Sequence, residues 1–332
     1  MKKEESNPPP LPDGKRTVLD RVNSDPVACD LTISLFVAAV HSYRHDSVLR
    51  PFPPAFIKEG FEKDKKALEQ AVKDIPSMAQ LEPSFDSLPE STVNLLMWHF
   101  NNKYFTLKTR DKNDYYDILS LTESREPTSV EPSHVFEVLP SQLSQSKFEQ
   151  LQQGRQILYA YHGSRVENFY SILHTGLASH MNKNGIFGEG TYLSSELSVS
   201  LHYSPAGLGW SKSWLGNRLS CVAVCEIIDD PSVKCQPKGD TELKRSRALL
   251  PNSIAGEVPE KYYVIRNNDV IRVKYLLVYA DKSPNNKLQN RMSWFSQHKF
   301  ALLMAFYFLL LVIIGLANSK QFKQNVKRLF KS

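Results

Sequence analysis

The chain has 332 residues, a hydrophobic fraction of 41% and a net charge of +6, from 41 Lys and Arg against 35 Asp and Glu. That length holds two modest domains or one large one with a sizeable core. The positive charge is scattered, and with no basic block, zinc knuckle or RNA-binding signature beside it, nucleic acid is not an expected partner.

Residues 1–24 read as a disordered leader, polar and carrying Pro8-Pro9-Pro10, without the apolar core of a secretory signal. From 25 to 105 the pattern is helical. Asp30 is placed to cap a helix whose apolar positions include Leu31, Ile33, Leu35, Phe36, Ala39 and Val40. Phe61 to Ile75 reads as an exposed amphipathic helix with Leu68, Ala71 and Val72 on one side. Ser91 to Phe100 reads as a third helix, and proline-rich joints, Pro51 to Pro54 and Pro83 to Pro89, separate the three.

From Tyr104 the period changes to short β-branched and aromatic runs between turns, which predicts an α+β domain over 106–281. Ile157 to His162 reads as a strand ending in His162-Gly163-Ser164, and Arg165 to Leu177 as a helix with Phe169, Ile172 and Leu173 apolar. The loop 178–187 precedes Gly188-Glu189-Gly190, through which a short strand, Thr191 to Ser194, is entered. Glycine there lets backbone approach a ligand closely. Ser220 to Ile228 is strand-like and puts Cys221 and Cys225 on one face. These two and Cys29 and Cys235 fit neither a disulfide framework nor a zinc site with histidine, so reduced structural thiols and no metal are expected. The loop 237–261 carries Lys244, Arg245 and Arg247, read as a solvated cluster. Two late strands follow, Tyr262 to Ile265 and Val273 to Leu277.

A polar linker, 282–299, leads to Phe300–Ala317, eighteen residues without a charge. At about 1.5 Å per residue this run reaches about 27 Å, close to a bilayer core of roughly 30 Å. Trp294 and Phe295 stand where interfacial aromatics are favoured, and a short basic tail, 318–332, follows. The expectation is a single-pass tail anchor in the lipid bilayer over 300–317, with the rest of the chain cytosolic. The short span suits the thin endoplasmic reticulum bilayer, while the basic tail keeps the mitochondrial outer membrane open.

Taken together, the His-Gly-Ser strand end, the Gly-x-Gly-x-Tyr strand with Tyr192, Ser200 eight positions on and Tyr203 eleven positions on resemble the catalytic domain of the diphtheria-toxin-like ADP-ribosyltransferases, the PARP family. The resemblance covers roughly residues 106–281. It implies two packed antiparallel sheets and a reaction that breaks the nicotinamide–ribose bond of NAD and passes ADP-ribose to a nucleophile, without a metal. It also implies site roles. Gly163 would offer its N–H and C=O to the nicotinamide carboxamide, and Ser200 would add a hydroxyl. Tyr203 would stack on the ring, with Tyr192 on the opposite face. His162 would bind the adenosine ribose, with Ser164 assisting.

Counting back from Lys274-Tyr275-Leu276-Leu277 puts Tyr262 where polymer-forming members carry glutamate. A phenol stays protonated near neutrality and is a poor base, so chain elongation is expected to fail while a single transfer remains open. In a register shifted by one, Tyr263 would take that place. The helical domain and anchor together resemble the tail-anchored branch of the family. That implies residence in the endoplasmic reticulum membrane and nuclear envelope, and protein acceptors that include the chain itself. The competing readings are an NAD-binding scaffold that recruits partners through its helical domain, and an NAD hydrolase.

Overall fold

The computed structural model describes residues 13–101, 103–122, 130–179, 185–236, 247–250 and 252–280, with Met304 and Tyr307 besides. The described residues up to Ala280 gather in one compact unit, and Met304 and Tyr307 belong to a second. The linker 282–299, the tail 318–332 and the apolar run 300–317, apart from Met304 and Tyr307, lie outside the described residues, as do Lys244 and Arg245. Among the described residues no helix is long and apolar enough to cross a membrane.

The first part of the main unit is helical: α1 (Asp13–Ser24), α2 (Pro26–His41), α3 (His45–Val48), α4 (Lys65–Asp74), α5 (Met78–Ser84) and α6 (Glu90–Phe100). The expected leader is thus helical from Asp13 onward, because Val18, Leu19 and Val22 form a stripe that is buried. The cap of α2 also differs from expectation. Asp25 caps it, accepting from the Ala28 N–H at 2.9 Å, with Pro26 at the first turn. Asp30 lies a turn further in and is fully buried. Helix α4 starts at an Asp64 cap and buries Leu68, Ala71 and Val72, as its pattern predicts. Pro83 ends α5 from inside rather than lying in a joint.

Helix α2 is apolar on nearly every side and is buried accordingly, from Ala28 to Val40 with only Thr32 partly exposed. Phe36 meets Tyr170 with ring centroids 5.3 Å apart, and the Tyr170 hydroxyl donates to the Pro51 carbonyl at 2.9 Å. The helical layer is therefore fastened to the rest of the unit through an apolar core and not through a linker.

The second part runs β1 (Phe105–Arg110), α7 (Asp114–Leu121), β2 (His134–Pro140), α8 (Gln142–Gln152), β3 (Ile157–Ser164), α9 (Asn168–Thr175), β4 (Thr191–Ser194), α10 (Leu197–His202), β5 (Gly207–Leu208), β6 (Arg218–Ile228), β7 (Tyr262–Ile265) and β8 (Ile271–Ala280). The strands form one antiparallel sheet in the order β1-β2-β8-β6-β3-β4-β7, with β5 beside β6. This corrects the expectation of two packed antiparallel sheets, because the strands form one continuous sheet. Strand β4 remains bonded to β3 through a single pair, Tyr161 with Ser194, which keeps the β4–β7 pair continuous with the other strands.

Strand β6 is the central element and is buried on both faces, as a near-continuous apolar run requires. Its Cys221, Ala223 and Cys225 join the core shared with α2 and α9, while Val222 and Val224 join the cluster with α7 and α10. All four cysteines are free and buried. Burial pushes the Cys29 and Cys221 thiols up to about 12, where they are unreactive.

Candidate active site

Strand β3 pairs along its whole length with β6, His162 facing Ala223 and Gly163 facing Val222. On the other edge it meets β4 only at Tyr161. Ser200 Oγ donates to the Tyr161 carbonyl at 3.0 Å, so that carbonyl points away from β6 and toward α10. Backbone groups two residues apart in a strand point the same way, so the N–H and C=O of Gly163 share that direction. Among the described residues no strand pairs with Gly163 on that edge. The edge carries one main-chain donor and one acceptor side by side, the complement of a primary carboxamide.

Gly163 also sits where a side chain cannot. A Cβ there would collide with the Ser200 carbonyl oxygen, lie 2.8 Å from its carbon and 3.0 Å from Ser204 Oγ. Helix α10 is thereby drawn against β3. The contact is stitched by Ser204 Oγ, which accepts from the Ser164 N–H and donates to the Ser200 carbonyl, both at 3.2 Å. Ser200 is buried, and its oxygen keeps lone pairs after donating to Tyr161. Tyr203 follows at the end of α10 with its ring largely exposed.

The His162 ring lies against β4. Its Nδ1 is 2.9 Å from the Tyr192 carbonyl. A carbonyl only accepts, so Nδ1 carries the proton and Nε2 is left as an acceptor on a neutral ring. Burial lowers the pKa below the ordinary 6.5, and the Tyr192 carbonyl works against that shift without cancelling it. Protonation would turn Nε2 from an acceptor into a donor. If His162 binds the NAD ribose, as the resemblance implies, NAD affinity is expected to be flat above neutrality and to fall as pH drops through a midpoint below 6.5. Stability shifts in the same sense, because the unfolded chain binds the proton more readily in that window. Calorimetric titration of NAD against pH, with His162 followed by NMR, checks this. A midpoint above 6.5 would mean that the cation is the native form.

Tyr192 is held by its hydroxyl, which accepts from the Phe187 N–H at 3.0 Å and donates to the Gly188 carbonyl at 2.6 Å. The residue thus braces the turn beside the cleft, a duty the sequence pattern did not show. Strand register settles which late tyrosine shares its face. Tyr192 faces Val264 and Ser194 faces Tyr262, while Leu193 faces Tyr263. Opposed residues share a face of a sheet, so Tyr262 stands with Tyr192 and Tyr263 points the other way. Packing agrees. Tyr262 and Tyr192 gather around Phe187, Leu250, Val258 and Val264, and Tyr263 lies against the main core.

Three residues of this neighbourhood were not singled out from sequence: Ser204, Phe187 and Asn168. Asn168 Nδ2 donates to Ser164 Oγ at 2.8 Å. Ser204 was legible in principle, since it falls one helical turn after Ser200.

Two family models match the chain: the ARTD15 N-terminal domain over residues 20–100 and the Poly(ADP-ribose) polymerase catalytic domain over residues 112–281. The chain belongs to the PARP family of ADP-ribosyltransferases. It is 43% identical over 305 residues to the protein mono-ADP-ribosyltransferase PARP16 of Mus musculus, an alignment covering 91% of this chain and 94% of that one. Against PARP16 of Homo sapiens the figures are 42% over 314 residues, 94% and 97%. Protein mono-ADP-ribosyltransferase PARP8 of Mus musculus is 23% identical over 79% of this chain but only 32% of its own length. A PARP catalytic domain takes NAD as its donor substrate. The unpaired main-chain edge at Gly163 and the free Nε2 of His162 fit that molecule's carboxamide and ribose hydroxyls.

Proposed function

We propose that this chain transfers a single ADP-ribose from NAD to protein side chains, its own included, at the cytosolic face of a membrane. The observation that carries the single-transfer reading is Tyr262 on the Tyr192 face of β7, where polymer-forming relatives place a carboxylate. Gly163 holds the nicotinamide carboxamide, Ser200 adds its hydroxyl, and Tyr203 and Tyr192 bound the ring. His162 binds the ribose through Nε2, with Ser164 at its side. The ribose C1′–nicotinamide bond breaks through an oxocarbenium-like state, nicotinamide leaves with the bonding pair, and the acceptor side chain supplies a new pair to C1′ and releases its proton. A Tyr262 hydroxyl hydrogen-bonds ribose but is not the carboxylate base that draws a proton from an incoming sugar hydroxyl, which stops the reaction after one unit.

Incubation of the protein with labelled NAD tests this. Stable label of one ADP-ribose per site is expected, lost in His162→Ala and Tyr192→Ala with the fold retained. NAD binding without label would instead describe a scaffold, and free ADP-ribose a hydrolase.

The membrane part of the proposal rests on the uncharged run 300–317. It would anchor the chain in the endoplasmic reticulum membrane and nuclear envelope, and the buried, reduced cysteines suit a cytosolic main unit. Removing residues 300–332 is expected to move the protein from the membrane pellet to the soluble fraction with its labelling rate preserved. A truncated chain that still pellets would remove the anchor from the proposal.

A further inference from the structure

A cleft of about 120 Å³ lies where α1, α2 and α6 meet β1 and α9. Its walls include Arg21, Cys29, His99, Phe105, Tyr170 and His174, and none of the donor-site residues. His99 is only 7% exposed. Its ring packs against Phe36 and Phe100, at centroid distances of 5.3 and 5.1 Å, yet among the described residues neither of its nitrogens has a hydrogen-bond partner. Its nitrogens are not among the described polar atoms sealed off without a partner, so the ring opens on the cleft, where an occupant can supply one.

Most other polar groups around the cleft are already engaged. The Asp25 carboxylate accepts from the Ala28 N–H, the Thr109 N–H at 2.7 Å and the Thr109 hydroxyl at 2.6 Å. Arg21 donates to Thr106 Oγ1 at 3.3 Å. His174 Nδ1 donates to the Tyr170 carbonyl at 2.7 Å, which leaves its Nε2 as an acceptor. Burial keeps both histidines neutral, pushing His99 down to about 3 and His174 below its ordinary value. The charges of Arg21 and Asp25 offset each other, so the cleft favours no net charge. Its walls carry the rings of His174, Tyr170 and Phe105, packed on one another with His174 4.4 Å from Tyr170 and 5.0 Å from Phe105, centroid to centroid, and such a wall offers an aromatic ligand a ring to pack against. A cavity of about 150 Å³ accommodates benzene, so this one suits a five- or six-membered ring.

We propose that this cleft binds a small, uncharged heteroaromatic ring with an N–H donor beside an acceptor nitrogen, held by the imidazole of His99 between the helical layer and the sheet. The occupant bridges α6 to α9, and α9 begins at Asn168, which holds Ser164 of the donor strand.

Pyrazole is neutral, planar and carries both groups on one edge, which makes it a suitable probe. Calorimetry of the full chain in detergent with millimolar pyrazole is expected to show one saturable site. Binding should persist in His162→Ala and be lost in His99→Phe, whose larger ring fills the space and removes both polar atoms. Thr32→Ile, at the partly exposed rim, narrows the cleft without touching the buried core and should weaken binding at least tenfold. It therefore reads the site even if His99→Phe fails to fold. Absence of saturable binding, binding unchanged in the cavity variants, or loss of binding in His162→Ala alone would each overturn the proposal.

Discussion

Gly163→Ala is expected to lose NAD-dependent labelling by about a hundredfold or more while the protein still folds. The added methyl would strike the carbonyl of Ser200, which is backbone and cannot swing aside, and would press on Ser204 Oγ. Helix α10 must then retreat from β3, and it carries Ser200 and leads into Tyr203. A displacement of about 1 Å in groups that orient a reacting bond costs about a hundredfold in rate. Overpacking itself costs about 1–3 kcal/mol, within reach of a domain this size. Gly209→Ala is the matched control. Its new methyl would meet only ordinary contacts, 3.6 Å from Leu219 and 3.8 Å from Ser34. Initial labelling rates together with melting temperatures separate the two effects. Near-native labelling by Gly163→Ala would show that the close approach of α10 to β3 does not form the donor site.

Much of that geometry was legible before the structure, because it is carried by local pattern. The strand ending at His162-Gly163-Ser164, the strand Thr191–Ser194 and the late strand Tyr262–Ile265 fall where alternation and glycine placed them. What stayed hidden depends on contacts far apart in sequence. The choice between Tyr262 and Tyr263 is a matter of register against β4, set by Leu193 facing Tyr263, and no reading of four residues contains it. Helix α1 was missed because Val18, Leu19 and Val22 make a short stripe beside a polar, proline-rich stretch, and only burial in the tertiary core reveals it. Helices α7 and α10 are about two turns long, too short for a hydrophobic period to separate them from turns. The cap of α2 was misassigned for another reason. Asp25-Pro26 is itself a start signal, and Asp30 drew attention only because an apolar run follows it.

Asp30 has a structural duty of a different kind, and its removal carries the largest expected stability effect. Its carboxylate is buried inside α2 and reaches across to the segment between β5 and β6. There it accepts from the Trp214 N–H at 2.9 Å and from the Ser213 hydroxyl, with Ser34 more distant at 3.4 Å. The same segment is held a second time by Lys212 Nζ, which donates to the Lys73 and Ile75 carbonyls at the end of α4, at 2.8 and 2.6 Å. Asp30→Ala leaves an amide and a hydroxyl without their acceptor, at about 1–3 kcal/mol each. The expected loss is about 3 kcal/mol, or roughly 6 °C in melting temperature for a unit of this size. Asp30→Asn keeps one carbonyl acceptor and should cost less than half as much.

Burial raises the Asp30 pKa above its ordinary 3.8, and the donors from Ser213 and Trp214 only partly oppose the shift. A carboxyl with a raised folded pKa favours the folded state below its unfolded value, and that contribution fades as pH rises through the folded one. The stability gap between the native protein and Asp30→Asn should therefore widen on acidification from neutral pH toward 4. Denaturant midpoints at several pH values measure it. A gap that narrows would mean that the ionised carboxylate, and not its protonated form, is the better partner for this buried site. Ser220, near the start of β6 just after this segment, donates to the carbonyl of Ser204, just past the end of α10, so loosening the segment also reaches the turn that follows the helix closing the donor site. Asp30→Ala is accordingly expected to slow labelling at temperatures well below its melting point, whereas Lys212→Met, which frees only the outer hold, should lower the melting temperature with the labelling rate intact.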